Sequence, residues 1–346
     1  MSIGNIKARF CALLLGVVTA LAARGQSQPV PVPALEGQKR VGTIYVYVQN
    51  PTLIDPYVRD GAKRELMLRV WYPSAQPSTC GPAEYTPQKV WAYIGQLSGS
   101  PLPAIRTSSC LNAPIEPGRH PVVLFSHGYT GTFTDSTFLL EDLASHGYVV
   151  VSIAHTHEST AVEFPGGRLV SGLLGSYLNS ESLHADERSI RFARSVRLSD
   201  LKFVLDELGR RNRRNGLLAG KLSLSEVGIM GHSLGGEAAL SALQQDLRLK
   251  AAVALDPPIS SEDVALTAKP VLMITAAGRS WSPEECQFWR SLHGPRLLIN
   301  VPKADHSPSP MPRGCSELLQ RSRTTHMRAG QYIFFAIPLL GSLSSI

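Results

Sequence analysis

The rhythm of hydrophobic and polar positions changes near residue 121. Before it, residues 43–48 and 66–72 alternate apolar and polar side chains, the period-2 pattern of half-buried antiparallel strands. The loop they lead into, 73–121, is long and turn-rich. Beyond it the apolar runs become continuous and β-branched, at 122–125, 149–153, 227–230, 251–255, 271–275 and 297–301. Such runs suit parallel strands buried on both faces. Helical patterns lie between or after them, at 138–145, 186–208, 234–245, 284–291 and 328–336. Two antiparallel strands followed by six alternating with helices predict an α/β chain. Its sheet should be mostly parallel and eight-stranded, with helices on both faces, the order of an α/β-hydrolase fold.

The N-terminus carries a different pattern. Lys7 and Arg9 precede an apolar run at 10–23, and small residues surround Ala20, Ala22, Ala23 and Gly25. This is the layout of a secretory signal peptide over residues 1–25; the run is too short for a comfortable bilayer span. A Pro-rich leader follows at 26–40, and the remaining residues, 41–346, are expected to form one catalytic domain. The formal charge of the 346-residue chain is +7, and losing Lys7, Arg9 and Arg24 with the signal leaves about +4. That balance is too mild to argue for a nucleic-acid partner.

Export, to the periplasm or the medium, changes the reading of the cysteines. Cys11 leaves with the signal, and Cys80, Cys110, Cys286 and Cys315 form an even set in an oxidising compartment. Of the three possible pairings, Cys80 with Cys110 and Cys286 with Cys315 is favoured, because each closes a local loop rich in Pro, Gly and Ser, the second bracketing His306. No C-x-x-C spacing points to a metal.

The candidate chemistry centres on Gly231-His232-Ser233-Leu234-Gly235-Gly236, set between an apolar run and a helical stretch. The G-x-S-x-G spacing, in strand–turn–helix context, is that of a nucleophile elbow. A serine hydroxyl needs a base, the base an orienting acid, and the oxyanion two N–H donors. His306 follows the last predicted strand in Lys303-Ala304-Asp305-His306 and is the candidate base; His293 precedes that strand and His326 enters the final helical pattern. Asp256 directly follows the run at 251–255 and is favoured by position as the acid, with Glu284 and Glu285, after the next strand, as competitors. The backbone N–H groups of Leu234 and Tyr129, the latter in Ser126-His127-Gly128-Tyr129, are the candidate oxyanion donors. This chemistry requires neither cofactor nor metal.

Four segments together carry a family resemblance: Leu124-Phe125-Ser126-His127-Gly128, Asp142 to Tyr148, Ile229 to Gly236, and Ala254-Leu255-Asp256. Over roughly residues 41–336 the chain resembles the platelet-activating-factor acetylhydrolase family of secreted serine esterases. The resemblance implies an acid at Asp256, since that family places it directly after the strand following the nucleophile helix. It also carries Ser233, His306, Tyr129 and Leu234 into the roles just given. It further implies calcium-independent hydrolysis of short or oxidised acyl chains at the second position of phospholipids, with transient contact with a lipid surface. Gly128-Tyr129-Thr130 and 143–147 are similar as well to secreted bacterial polyester hydrolases and cutinase-like enzymes, which usually take their acid from the later strand. After His306 the chain reads Ser307-Pro308-Ser309-Pro310, where related enzymes place an apolar residue, so the natural ester stays open. A hydrolase-fold binding protein without catalysis is the alternative from another class; its usual sign, loss of a triad residue, is missing here.

Other features have plainer readings. His155 and His157 form an H-x-H pair expected to line the cleft as polar support. His127 and His232 are expected to hold the two oxyanion turns. Arg188, Arg191, Arg194 and Arg197 recur every third residue and predict a solvated, salt-bridged helix. Residues 210–214 read as an exposed basic linker, and 332–340 as a terminal helix docked on the core.

Overall fold

A computed structural model describes residues 30–31, 33–75, 81–99, 101–173, 187–259, 267–276 and 281–301. Cys80, His306, Cys315, His326 and the segment 332–340 lie outside the described residues. Among the described residues, nine strands form the central sheet: β1 (Val41–Ile54), β2 (Lys63–Pro73), β3 (Cys110–Leu111), β4 (His120–Ser126), β5 (Val149–Ala154), β6 (Leu222–His232), β7 (Leu249–Leu255), β8 (Val271–Ala276) and β9 (Arg296–Val301). Their spatial order is β9-β8-β7-β6-β4-β5-β2-β1-β3. From β9 through β5 every pairing is parallel, while β2 pairs antiparallel with both β5 and β1. The eight predicted strands are all present. The ninth, β3, is a two-residue strand at the edge, beside β1, inside the segment read as loop.

The continuous apolar runs are explained by two cores. Val122 and Leu124 of β4, Val149 and Val151 of β5, Ile229 of β6 and Ala252 of β7 belong to one core. Their neighbours Val123, Phe125, Val150, Met230 and Val253 belong to the other. Because strand side chains alternate, a sheet covered on both faces needs apolar residues at every position. Helix α2 (Thr137–Ser145) packs on the second core through Leu139, Leu140 and Leu143. Helices α3 (Glu187–Arg213), α4 (Leu234–Gln245) and α5 (Pro283–Ser291) contribute to the first.

Other segments add to or differ from the expectation. A helix α1 (Gln88–Leu97) forms inside the predicted loop; Pro87 and the turn residues around it masked its short amphipathic pattern. Helix α3 continues through Arg213, so Arg210 and Arg211 form its last turn and pair with Glu207 three and four residues earlier. Basic side chains there complement the carbonyl end of the helix, which a reading of 210–214 as linker missed. The leader is docked: Glu36 and Gly37 donate backbone N–H groups to Asp142 and Ser145 of α2.

Among the described residues no helix is long and apolar enough to cross a membrane.

Candidate active site

Register brings several of the predicted residues to one edge of the sheet. Ser126 is the partner of Gly231, and His232 that of Leu255, so the next residues, His127, Ser233 and Asp256, leave three adjacent parallel strands at their carboxyl ends. In open α/β sheets that edge is where ligands bind.

Ser233 occupies the turn between β6 and α4 with φ 52° and ψ −125°, a backbone conformation an L-residue rarely adopts. Such strain costs on the order of 1–3 kcal/mol and persists only where the surroundings fix it. Here the Ser233 N–H donates to Leu255 O at 2.8 Å, and its carbonyl accepts from Gly236 N at 2.8 Å and Glu237 N at 3.1 Å. The glycines are steric requirements. A Cβ on Gly231 would lie 2.1 Å from Gly235 O, and one on Gly235 would lie 2.0 Å from Ser126 O. The side chain that results is partly exposed, whereas Gly231 and Leu234 are buried.

The loop after β4 lies directly against this turn. A Cβ on Gly128 would sit 3.6 Å from Ser233 Cβ and 2.9 Å from His232 Nδ1. Tyr129 follows, partly exposed. On the other side Asp256, at φ 45°, is fixed by its N–H donating to Ile274 O at 2.7 Å. Pro257 packs on the start of α4, its Cβ 3.2 Å from where a Cβ on Gly236 would be. The structure therefore gathers Ser233, Leu234, Tyr129 and Asp256 at one edge.

The competing acids stand elsewhere. Glu285 closes a capping box at the start of α5: its carboxylate accepts from Ser282 N at 2.8 Å while its own N–H donates to Ser282 Oγ at 3.2 Å. Glu284 is in the same first turn. His293 is exposed on the loop before β9.

Beneath the Ser126–Tyr129 loop lies a buried polar network in which sequence reasoning placed His127 and His155 but missed Arg64, Asp200, Glu158 and Ser159. His155 is fully buried, with Nδ1 2.9 Å from Asp200 Oδ2 and Nε2 3.0 Å from Ser126 Oγ. A carboxylate can only accept, so Nδ1 carries the proton and Nε2 accepts the Ser126 hydroxyl. Arg64 grips the same carboxylate with two N–H groups, at 3.0 and 2.7 Å, and donates to Asp55 at 3.1 Å. Burial opposes ionisation of Asp200, but Arg64 outweighs it and holds the carboxyl at about 2. His127, also fully buried, sets Nδ1 2.6 Å from Gly128 O and Nε2 2.8 Å from Ser159 Oγ. Burial and then the nearby Arg197 push its pKa well below the usual histidine value; burial lowers that of His155 too.

His127 thus braces the turn at Gly128, and His232 Nδ1 lies 2.9 Å from where a Cβ on Gly128 would be. His157 takes a different partner from His155, with Nε2 3.7 Å from Asp55. The arginine row is corrected. Arg188 and Arg191 are exposed, but Arg194 pairs with Glu237 of α4 at 2.8 Å and Arg197 is fully buried against Glu158 at 2.5 Å. A signal existed: Arg197 precedes Leu201, Leu205 and Leu208 at helical spacing, on the inward face of α3.

The sequence profile described as platelet-activating factor acetylhydrolase, isoform II, matches residues 24–165 and 212–290. The chain belongs to this family. The match includes the elbow, the Ser126–Tyr129 loop and Asp256, and omits 166–211 and everything after 290. Among relatives, a platelet-activating factor acetylhydrolase of Canis lupus familiaris is 24% identical over 71% of this chain and 63% of its own length. The chain therefore spans less than two thirds of that relative. Cutinase 1 of Thermobifida cellulosilytica is 28% identical over 47% of this chain and 49% of its own. A solved structure of a ferulic acid esterase from Streptomyces cinnamoneus superposes with a TM-score of 0.65 at 27% identity, covering 91% of this chain and 92% of that one. That coverage and the sheet described above make this acetylhydrolase-family chain an α/β hydrolase in fold.

Proposed function

We propose that the protein is a secreted or periplasmic serine esterase that cleaves carboxylic esters of short acyl chains through an acyl-enzyme. One observation carries the reading: a serine in a strained strand-to-helix turn, partly exposed, with a glycine loop packed against its Cβ. The relatives support the reaction class, being named as enzymes that hydrolyse esters.

In this mechanism Ser233 Oγ attacks the acyl carbonyl while His306 accepts its proton. The N–H groups of Tyr129 and Leu234 receive the developing oxyanion, each worth about 3 kcal/mol of barrier in comparable sites. The tetrahedral intermediate expels the alcohol, which leaves with the proton from His306. Water then attacks the acyl-enzyme, losing its proton to His306, and the acid departs as that proton returns to Ser233. Asp256 holds the imidazole and stabilises its cation.

Cleavage after a signal at 1–25 belongs to the same proposal, as do the bridges Cys80–Cys110 and Cys286–Cys315. Pro82 pairs with Cys110 in an isolated antiparallel bridge, which supports the first by bringing the chain two residues beyond Cys80 alongside Cys110.

A second reading, a cutinase-like or polyester-cleaving enzyme, is favoured by the similarity to the Thermobifida cellulosilytica cutinase. Rates on p-nitrophenyl esters from C2 to C16, on a short-acyl phospholipid and on a polyester film separate the two. Fast cleavage of C2 to C4 esters and of the phospholipid supports the acetylhydrolase-like reading; activity confined to long chains or polyester rejects it.

A further inference from the structure

The esterase reading requires the Tyr129 amide to face the nucleophile, and something in the fold must orient it. The loop it belongs to is rich in glycine and could turn either way. Arg197, in the stretch of chain between the two segments matched by the family profile, is placed to do so.

Its guanidinium is fully buried, and three of its donors act on this loop. Nη1 donates to the carbonyl of His127 and, at 3.3 Å, to Ser126 Oγ; Nη2 donates at 3.4 Å to the carbonyl of Gly128, which also accepts from His127 Nδ1 at 2.6 Å and Gly131 N at 3.1 Å. In a trans peptide the C=O of one residue and the N–H of the next point in opposite directions. Holding the His127 and Gly128 carbonyls toward Arg197 therefore turns the N–H groups of Gly128 and Tyr129 away from it. The Cβ direction of Gly128 meets His232 and Ser233 within 3.6 Å, so the loop has the elbow beside it. The Nε of Arg197 is anchored separately by Glu158 Oε2 at 2.5 Å, and Glu158 is itself buried, with its N–H donating to His155 O at 3.0 Å. Only a planar fork with five donors can hold two successive carbonyls and a carboxylate at once; a lysine ammonium has neither the reach nor the geometry.

We propose that Arg197 is a positioning residue for the oxyanion hole, fixing two successive peptide planes so that the Tyr129 N–H is preorganised toward the tetrahedral oxyanion. The proposal rests on the esterase reading. It deepens that reading by naming what orients a donor.

The test is Arg197→Lys, assayed with p-nitrophenyl acetate and with an acetyl trifluoromethyl ketone, which forms a tetrahedral adduct with the serine. Misplacing one donor should lower kcat by about tenfold to hundredfold, leave KM within about threefold, and weaken the ketone by the same factor as kcat. A role limited to stability would lower the melting temperature and leave kcat per active site unchanged. Should Arg197→Lys fail to fold, Arg197→Met with Glu158→Leu removes the buried pair as a unit, leaving no unpaired charge, and the same loss of kcat is expected. Wild-type kcat and ketone affinity in a folded variant overturn the positioning role alone. A wild-type protein that neither hydrolyses the ester nor binds the ketone overturns the esterase reading, and this inference with it.

Discussion

At the scale of single residues the site is built from positions where ordinary side-chain or backbone behaviour is suspended. Ser233 and Asp256 both adopt positive φ, and the conformations are held by neighbouring strands, through Leu255 O for one and Ile274 O for the other. Such local facts favour Asp256 as the proposed acid: it leaves the strand beside the elbow, while the Glu285 carboxylate accepts from the amide of Ser282. Asp256→Asn is expected to reduce kcat on p-nitrophenyl acetate by about 10⁴-fold, as when a triad acid loses its charge. Glu284→Gln and Glu285→Gln should leave kcat within about threefold. Equal losses in the aspartate and glutamate variants would remove Asp256 from the role.

At the scale of elements, the sequence was legible where periodicity is strong and opaque where order comes from distant partners. The continuous runs from 122 to 301 became strands because both faces are covered, and the elbow stood out because glycine spacing there is a steric demand. The buried network could not be read in this way. Arg64 and Asp200 are 136 residues apart, and Ser126 and Arg197 are 71 apart; no local pattern records such pairs. Helix α1 and the hairpin of Ala161–Phe164 with Arg168–Ser171 were hidden for the converse reason, their short patterns being overshadowed by turn residues. The capping box of α5 gives this scale its own test. Ser282→Ala should cost about 1 kcal/mol of unfolding free energy with kcat unchanged, measured by urea denaturation beside the ester assay. A large loss of kcat would tie α5 to catalysis instead.

At the scale of the whole molecule, the network beneath the oxyanion loop makes stability depend on pH. The pKa values of His127 and His155 are depressed in the folded state, chiefly by burial, while in the unfolded chain both return to about 6.5. The unfolded state therefore binds more protons below that value. Their contribution to stability is complete above about pH 6.5 and declines as the pH falls toward the folded-state values, by up to about 1.4 kcal/mol per pH unit for each ring. Asp200 adds a separate window at lower pH, its contribution present above about 3.9 in unfolded chains and lost as the pH falls through about 2. Urea midpoints should hold level from pH 7.5 to about 6.5 and then decrease toward about pH 5; a profile that stays flat throughout would mean that the two rings are not held neutral by the fold.

The whole account turns on Ser233 as the nucleophile. Treating the purified protein with a fluorophosphonate and locating the adduct by peptide mass spectrometry tests this most directly. The account predicts one adduct per chain, on the peptide containing Ser233, with ester hydrolysis lost in proportion to labelling and neither labelling nor hydrolysis in Ser233→Ala. Labelling of another residue with hydrolysis intact in Ser233→Ala, or an active protein that resists labelling, would contradict it.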